Sequence, residues 1–191
     1  MQIRPARPDD CAAIAAIYAH HVLHGTASYE TEPPSAAEIA RRMDRVLTSG
    51  WPWLVAEAPG GQMLGYAYAT QFRDRAAYRF VCEDSIYIRN EARGQGVGKA
   101  LLGALIDACT EAGFRQIIAV IGGAEPASEA LHARMGFALA GRLGGIGRKH
   151  GRWLDTLYMQ RALGSGSNAP PRSNPIDGDQ FGAWQAQLLR A

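Results

Sequence analysis

The chain has 191 residues, 47% of them apolar and 20% charged, with 20 basic and 18 acidic side chains for a net charge of +2. This composition is that of a globular chain long enough to bury a core without metal or disulfide staples, and it favours one domain. The balance of charge argues against nucleic acid as the main partner, since that role usually needs a strongly basic face. Three widely spaced cysteines, Cys11, Cys82 and Cys109, fit neither a disulfide framework nor a zinc pattern, and point to a reducing compartment. The polar start MQIRPARPDD lacks the apolar core of a signal peptide. No stretch approaches the roughly 20 apolar residues of a membrane helix, so the expected location is the cytoplasm.

In chain order, a short strand is expected near residues 2–4. Asp9 or Asp10 can cap a helix that carries Ile14, Ile17, Tyr18 and Val22 on one side. Pro33 and Pro34 break the chain, and Ser35 with Glu38 forms a capping box for a second helix reaching about Leu47. Strands follow at about 52–58, 63–71 and 81–89, with Gly60-Gly61 as the turn between the first two. A strong helix is predicted over 97–112, its buried stripe made of Leu101, Leu102, Leu105, Ile106 and Cys109, with Gly113 ending it. Residues 116–121 read as a compact apolar strand. Pro126 opens a shorter helix that Gly136 ends. Strands near 137–142 and 153–161 close the domain.

The succession of strand 81–89, helix 97–112 and strand 116–121 is a βαβ-type unit, while the earlier and later strands look antiparallel. A mixed sheet with helices on both faces is the expected α/β class. Composition shifts after Leu163: Gly164-Ser-Gly-Ser-Asn-Ala-Pro-Pro171 reads as a linker. A domain over 1–163 and a tail over 164–191 are therefore expected, the tail carrying Phe181, Trp184 and Leu188 at helical spacing.

The most informative segment is Arg93-Gly-Gln-Gly-Val-Gly-Lys99, set between a strand and the strong helix. Glycines let the backbone approach a ligand and aim several N–H groups at it, and the helix start behind them adds partial positive charge. Arg93 and Lys99 add whole charges, which makes an anion site suited to phosphate. The P-loop pattern fails here because Arg93 stands where its first glycine belongs and Ala100 follows the lysine. The dinucleotide pattern fails because Lys99 stands in place of its third glycine.

Arg93-x-x-Gly96-x-Gly98 resembles the acyl-CoA pyrophosphate loop of the GNAT acetyltransferases, and the resemblance runs over 1–163. It is closest to the phosphinothricin and methionine sulfoximine acetyltransferase branch. The matching segments are Tyr29-Glu-Thr-Glu-Pro33, Ala77-Tyr-Arg-Phe-Val-Cys-Glu-Asp-Ser-Ile-Tyr87, Ala119-Val-Ile-Gly122, Leu131-His132 with Gly136-Phe137, and Lys149-His-Gly-Arg-Trp-Leu-Asp155.

The resemblance implies a GNAT-like mixed, largely antiparallel sheet splayed beside acetyl-CoA, no metal, and a homodimer. It places the pyrophosphate at Arg93, Gly94, Gln95, Gly96, Val97, Gly98 and Lys99, and the pantetheine along Ile86, Tyr87 and Ile88. It also implies acetyl transfer to the amine of a small amino-acid-like molecule. Branch members carry an asparagine before the helix with the histidine, where it contacts CoA; here Glu125 takes the nearest place, and since a carboxylate cannot donate a hydrogen bond as an amide can, Glu125 and Ser128 both stand as candidates for that contact.

Acetyl transfer needs a base for the amine, a donor for the oxyanion and a proton for the departing thiolate. Glu83 sits in an apolar run, Phe80-Val-Cys-Glu-Asp-Ser-Ile-Tyr-Ile88, where a carboxylate is costly unless paired or functional, and it matches the catalytic glutamate of the branch. A structural ion pair with Arg73, Arg75 or Arg79 is the plainer alternative. Asp84 falls on the opposite face by strand alternation, so the two carboxylates cannot share one role. His132 matches the residue that serves the leaving thiolate, or is a packing histidine.

Cys82 raises the rival of a covalent acetyl-cysteine, though it faces away from Glu83 and no histidine neighbours it in sequence; packing is the expected role. Arg73 and Arg75 could grip a substrate carboxylate, with Glu83 and Ser85 beside it, or belong to a solvated loop. The loop Tyr29-Glu-Thr-Glu32 is a further candidate wall, and Arg148-Lys-His-Gly-Arg152 a substrate, interface or plain hairpin loop. Acceptors of other kinds (a protein N-terminus, a polyamine, an antibiotic) and a non-catalytic acyl-CoA-binding regulator remain as alternatives.

Overall fold

The computed structural model describes residues 1–171. Seven strands form one sheet: β1 (Gln2–Pro5), β2 (Trp53–Glu57), β3 (Met63–Gln71), β4 (Val81–Ile88), β5 (Gln116–Gly122), β6 (Ala138–Lys149) and β7 (Arg152–Ala162). Their order is β1-β2-β3-β4-β5-β7-β6. The β4–β5 pair is parallel and every other pair antiparallel. A parallel neighbour needs a crossover, and the helix between β4 and β5 supplies it, so the βαβ reading of the sequence holds.

Among the described residues, four α-helices cover the sheet: α1 (Cys11–His24), α2 (Ala36–Thr48), α3 (Val97–Glu111) and α4 (Pro126–Arg134). Two apolar clusters form, one for each face. On one face the α3 stripe Leu101, Leu102, Leu105 and Cys109 meets Ala67, Cys82, Ile117 and Leu157. On the other, Ile14, Ile17, Ile39 and Met43 of α1 and α2 meet Trp53, Val55 and Tyr66. Strand alternation divides β2 and β3 between the two clusters, which is why those strands read as continuous apolar runs. Among the described residues no helix is long and apolar enough to cross a membrane, and all three cysteines are free and buried.

Three local readings need correction. Ser35 caps α2, its hydroxyl accepting from Glu38 N at 3.2 Å, but the Glu38 carboxylate goes to Arg41 and Arg42 and does not close the expected capping box. Asp10 stands at the start of α1 without capping it; its carboxylate takes Arg4 and the Arg7 N–H instead, which fastens β1 to the helix entry. β6 runs to Lys149, far past the expected 142, because its exposed, glycine-rich half pairs with β7 through irregular register between Leu139 and Gly141 and between Leu143 and Gly147. Such a strand gives no apolar alternation to read.

After β7, Leu163 is buried, and Arg115 holds the following turn through the carbonyls of Gly166 (2.9 Å) and Ala169 (2.9 Å). Phe181, Trp184 and Leu188 lie outside the described residues.

Candidate active site

The site begins as a fork in the sheet. β4 and β5 pair from Val81↔Gln116 to Asp84↔Ala119 and then part. Beyond the fork, Ser85 to Ile88 stay with β3, while Val120 to Gly122 stay with β7. The bonds Phe72 N to Val81 O and Arg89 N to Leu64 O (2.9 and 2.8 Å) fix the odd-numbered residues of β4 toward β3. By alternation, Ile86 and Ile88 turn their backbone groups into the gap. The Ile88 carbonyl there accepts a hydrogen bond from His21 Nε2 at 2.9 Å. A carbonyl can only accept, so this nitrogen carries the hydrogen.

Two cavities meet in the fork. The larger, about 920 Å³, is walled by the glycine turn, Ile88 and the end of α1. The smaller, about 410 Å³, is walled by Glu83, Ser85, His132, Ser28, Tyr29 and Thr156, among others. Ala27, Ile86, Tyr87 and Ser128 belong to both, so one opens toward the other.

The glycine turn is built by backbone conformation. Gly94 and Gly96 have φ of +74° and +81°, the left-handed region that suits glycine, and α3 starts at Val97 directly after. Gly98 lets α3 lie close to α4: a Cβ there would come within 3.2 Å of Leu131 Cδ2. Arg93, Gly94, Gly96, Gly98 and Lys99 line the larger cavity, as do Ile86, Tyr87, Ile88, Glu125 and Ser128. Val97 is buried in the core instead, and Gln95 folds back onto the Glu91 carbonyl at 2.8 Å. Arg152, from the hairpin loop singled out in the sequence, joins the same wall, and Arg134, His20 and His24 add cationic or titratable groups that no motif announces.

A nucleotide diphosphate with a long arm fits this lining. The helix start and its positive-φ turn suit the phosphates, two or more cations suit their charge, and the open edge of β4 suits amide groups on the arm.

Glu83 stands on the wall of the smaller cavity with its side chain 30% exposed. Burial pushes its carboxyl up to about 7, with Arg73 opposing and the Asp84 charge adding to the rise. Arg73 Nη1 lies 3.6 Å from Glu83 Oε2, and its guanidinium rests over the Phe72 ring. Arg75 is exposed on the same loop. Among the described residues, neither arginine belongs to the lining of the smaller cavity. Ser85 does, and so do Tyr29 and Glu30 of the expected loop wall. That loop is tied down by Tyr29 Oη to Thr156 Oγ1 at 2.7 Å and by Lys149 Nζ donating to the Ser28 carbonyl at 2.7 Å.

His132 is the buried residue of α4 and lines the smaller cavity. Its Nδ1 lies 2.7 Å from the Ser128 carbonyl and its Nε2 3.1 Å from Asp84 Oδ2. Asp84, set aside at the sequence level for facing away from Glu83, lines the same cavity, because the fork opens the sheet between its two faces at this position. Cys82 is fully buried, its Sγ 3.6 Å from the Gln116 carbonyl, and burial together with Cys109 holds its thiol well above the usual value. Such a thiol is a poor nucleophile.

Comparison with known proteins agrees with this geometry. Residues 3–158 match the model of the acetyltransferase (GNAT) domain. A phosphinothricin N-acetyltransferase of Alcaligenes faecalis is 52% identical over 170 residues, covering 88% of this chain and 86% of that protein. An L-methionine sulfoximine/L-methionine sulfone acetyltransferase of Pseudomonas aeruginosa is 37% identical over 168 residues, covering 88% of this chain and 98% of its own length. Among solved structures, a GNAT superfamily phosphinothricin acetyltransferase from Sinorhizobium meliloti in complex with AcCoA superposes with a TM-score of 0.90 at 50% identity, over 94% of this chain and 97% of that one. The chain belongs to the GNAT acetyltransferase family.

Proposed function

We propose that the protein transfers the acetyl group of acetyl-CoA to the primary amine of a small amino-acid-like molecule of the phosphinothricin, methionine sulfoximine or methionine sulfone type. The observation that carries this reading is the joined pair of cavities: a phosphate-binding turn walls one, a proton-accepting carboxylate walls the other, and Ile86, Tyr87 and Ser128 border both. Relatives at 52% and 37% identity named for these substrates support the choice of acceptor.

In this reading Arg93, Lys99 and the amides of the turn hold the pyrophosphate, and Ile86 and Ile88 offer backbone groups to the pantetheine arm. Acetyl-CoA supplies a thioester carbon open to attack. Glu83, with a carboxyl poised at about 7, takes the proton of the amine, directly or through a water. Direct attack fits better than an acetyl-cysteine, since Cys82 is sealed in the core. Arg73, 3.6 Å from the Glu83 carboxylate, is the group suited to a substrate carboxylate. His132 gives a proton to the leaving sulfur.

The catalytic unit is taken as residues 1–163. A homodimer accords with β6 lying at the sheet edge and with the exposed apolar side chains Leu139, Ile146 and Trp153 on the last hairpin, the tryptophan 68% exposed. Free, buried thiols accord with the cytoplasm.

The test is CoA release from acetyl-CoA against a panel of amines: methionine sulfoximine, methionine sulfone, phosphinothricin, a polyamine and a short peptide. The reading expects kcat/KM for one of the first three to exceed that for the polyamine and peptide by at least about tenfold, a difference of about 1.4 kcal/mol in transition-state binding. The reverse order would replace the acceptor class, and no release with any amine would reject the activity.

A further inference from the structure

Both ring nitrogens of His132 are engaged in a place where its side chain is 2% exposed. Nδ1 lies 2.7 Å from the Ser128 carbonyl and 3.3 Å from the Ser128 hydroxyl; the shorter contact is to a group that can only accept, so Nδ1 bears a hydrogen. A neutral ring would then present a bare lone pair at Nε2. Across from it, at 3.1 Å, is Asp84 Oδ2, on a side chain also 2% exposed. Two lone pairs do not hold each other at that distance. One more proton is needed, and Asp84 and His132 share it.

A second observation concerns cost. Among the described residues, Asp84 Oδ1 is buried with no hydrogen-bond partner. A carboxylate oxygen left bare in the interior weakens the fold, and a small neutral side chain on the strand face that also carries Cys82 would avoid the penalty. A stability role alone does not account for an acid at this position.

Among the described residues, the charge that acts on the His132 ring is that of Asp84. Glu83 and Ser85 flank Asp84 on β4, Ala119 faces it from β5, and the Phe137 ring stands edge-on to His132 at 5.0 Å. Glu83 is thus the neighbouring charged group that could compete for the proton.

We propose that Asp84 is a positioning residue that keeps the ring of His132 charged and its Nε2 hydrogen held at the cavity wall. This rests on the acetyl-transfer reading for its use, though not for its existence. When the C–S bond breaks, its electron pair stays on sulfur and the Nε2 hydrogen passes to it as a proton. His132 is left neutral, with Nδ1–H still on the Ser128 carbonyl and a bare Nε2 facing Asp84, an unfavourable state that draws the next proton in. Nitrogen sheds two protons on the way from ammonium to amide: Glu83 takes the one that frees the lone pair, and the one lost after attack recharges the pair, so no further reactant is required. The titration of the ring agrees in direction: burial pulls it down, but the Asp84 hydrogen bond and charge, with the Ser128 carbonyl, outweigh burial and the net shift is upward.

The experiment compares the full-length protein with Asp84→Asn, which keeps the shape and removes the charge. Ring ¹⁵N shifts of His132, assigned against His132→Gln, should show hydrogens on both nitrogens at pH 7.5 in the wild type. In Asp84→Asn, Nε2 should lose its hydrogen and Nδ1 keep its own. With acetyl-CoA and methionine sulfoximine, Asp84→Asn should lower kcat at least tenfold and leave both KM values within about twofold.

A wild-type Nε2 without hydrogen at pH 7.5 overturns the proposal, and this measurement decides even if the variant does not fold. Unchanged kcat in a folded Asp84→Asn overturns it as well. The ring signal needs no acceptor amine, so a wild type that acetylates nothing on the panel would sink the activity while the spectrum still judged the pair.

Discussion

Tyr29 Oη lies 2.7 Å from Thr156 Oγ1, which pins the loop after α1 to β7 across the gap that β4 and β5 leave open. The same hydroxyl donates to the Asp155 carbonyl at 3.0 Å. The ring lies so close to β6 that a Cβ on Gly147 would sit 2.6 Å from it. Tyr29→Phe should therefore cost about 1 kcal/mol, a fall in Tm of roughly 2–4 °C for a chain of this size. Because Tyr29 walls the smaller cavity, KM for the acceptor amine should rise severalfold while KM for acetyl-CoA holds. Gly147→Ala should shift the same two quantities further in the same direction. Thermal melts with steady-state kinetics check both.

Gly96 should be intolerant of a side chain for a backbone reason. At φ +81° it is left-handed, and a Cβ there meets no neighbouring atom, so strain acts without a clash. Gly96→Ala should cost on the order of 1 kcal/mol or move the turn, and either outcome shows as a higher KM for acetyl-CoA. Arg93→Ala should raise the same KM about tenfold, and the gap between variant and wild type should narrow at high salt, where the guanidinium is screened.

A substitution at Cys82 separates the two chemistries. Its thiol sits in the core with Leu101 and Ile117, so Cys82→Ala should retain turnover within a few-fold and lose stability through the small cavity created. Mixing wild-type enzyme with acetyl-CoA alone should give no burst of CoA. A stoichiometric burst would restore the covalent route.

The ion network at the chain entry predicts an acid-labile fold. Arg4 bridges Asp10 (2.8 Å) and Glu57 (2.6 Å), binding β1, β2 and the start of α1. Burial raises the Asp10 carboxyl, but the Arg4 and Arg7 contacts outweigh it and the net shift is downward. A group bound more weakly to its proton in the folded state stabilises above the unfolded pKa of about 3.9, and that contribution is lost as pH falls through the lower folded value. Stability should thus decline below about pH 4, and Asp10→Asn should flatten that limb while lowering stability at pH 7. Urea melts from pH 3 to 7 check the sign.

What the sequence made legible was set by local chemistry. β3 and the start of α3 fall where apolar alternation, the glycine turn and the Leu101-Leu102-Leu105 stripe put them. Glu83 could be singled out because an acid in an apolar run demands a reason, and it stands on a cavity wall with a raised carboxyl. Asp84 could not be placed by the same logic. Alternation assigns it to the far face, and only the divergence of two strands, a property of pairings more than thirty residues apart in sequence, brings both acids to one cavity. A usable signal was present: the acid shares a face with buried Cys82, so it required a buried partner, and a histidine on a following helix was the available one. The Tyr29 and Lys149 ties span more than 120 residues, beyond any local pattern.

The central claim is that Glu83 takes the proton of the amine beside a CoA-binding turn. The most direct test is kcat/KM for methionine sulfoximine from pH 5 to 9, in wild type and Glu83→Gln. The wild type should show a rate that climbs as the carboxyl ionises near 7, and the glutamine variant, folded with an unchanged KM for acetyl-CoA, should lose at least about a hundredfold. Turnover by Glu83→Gln at the wild-type level across that range would contradict the account.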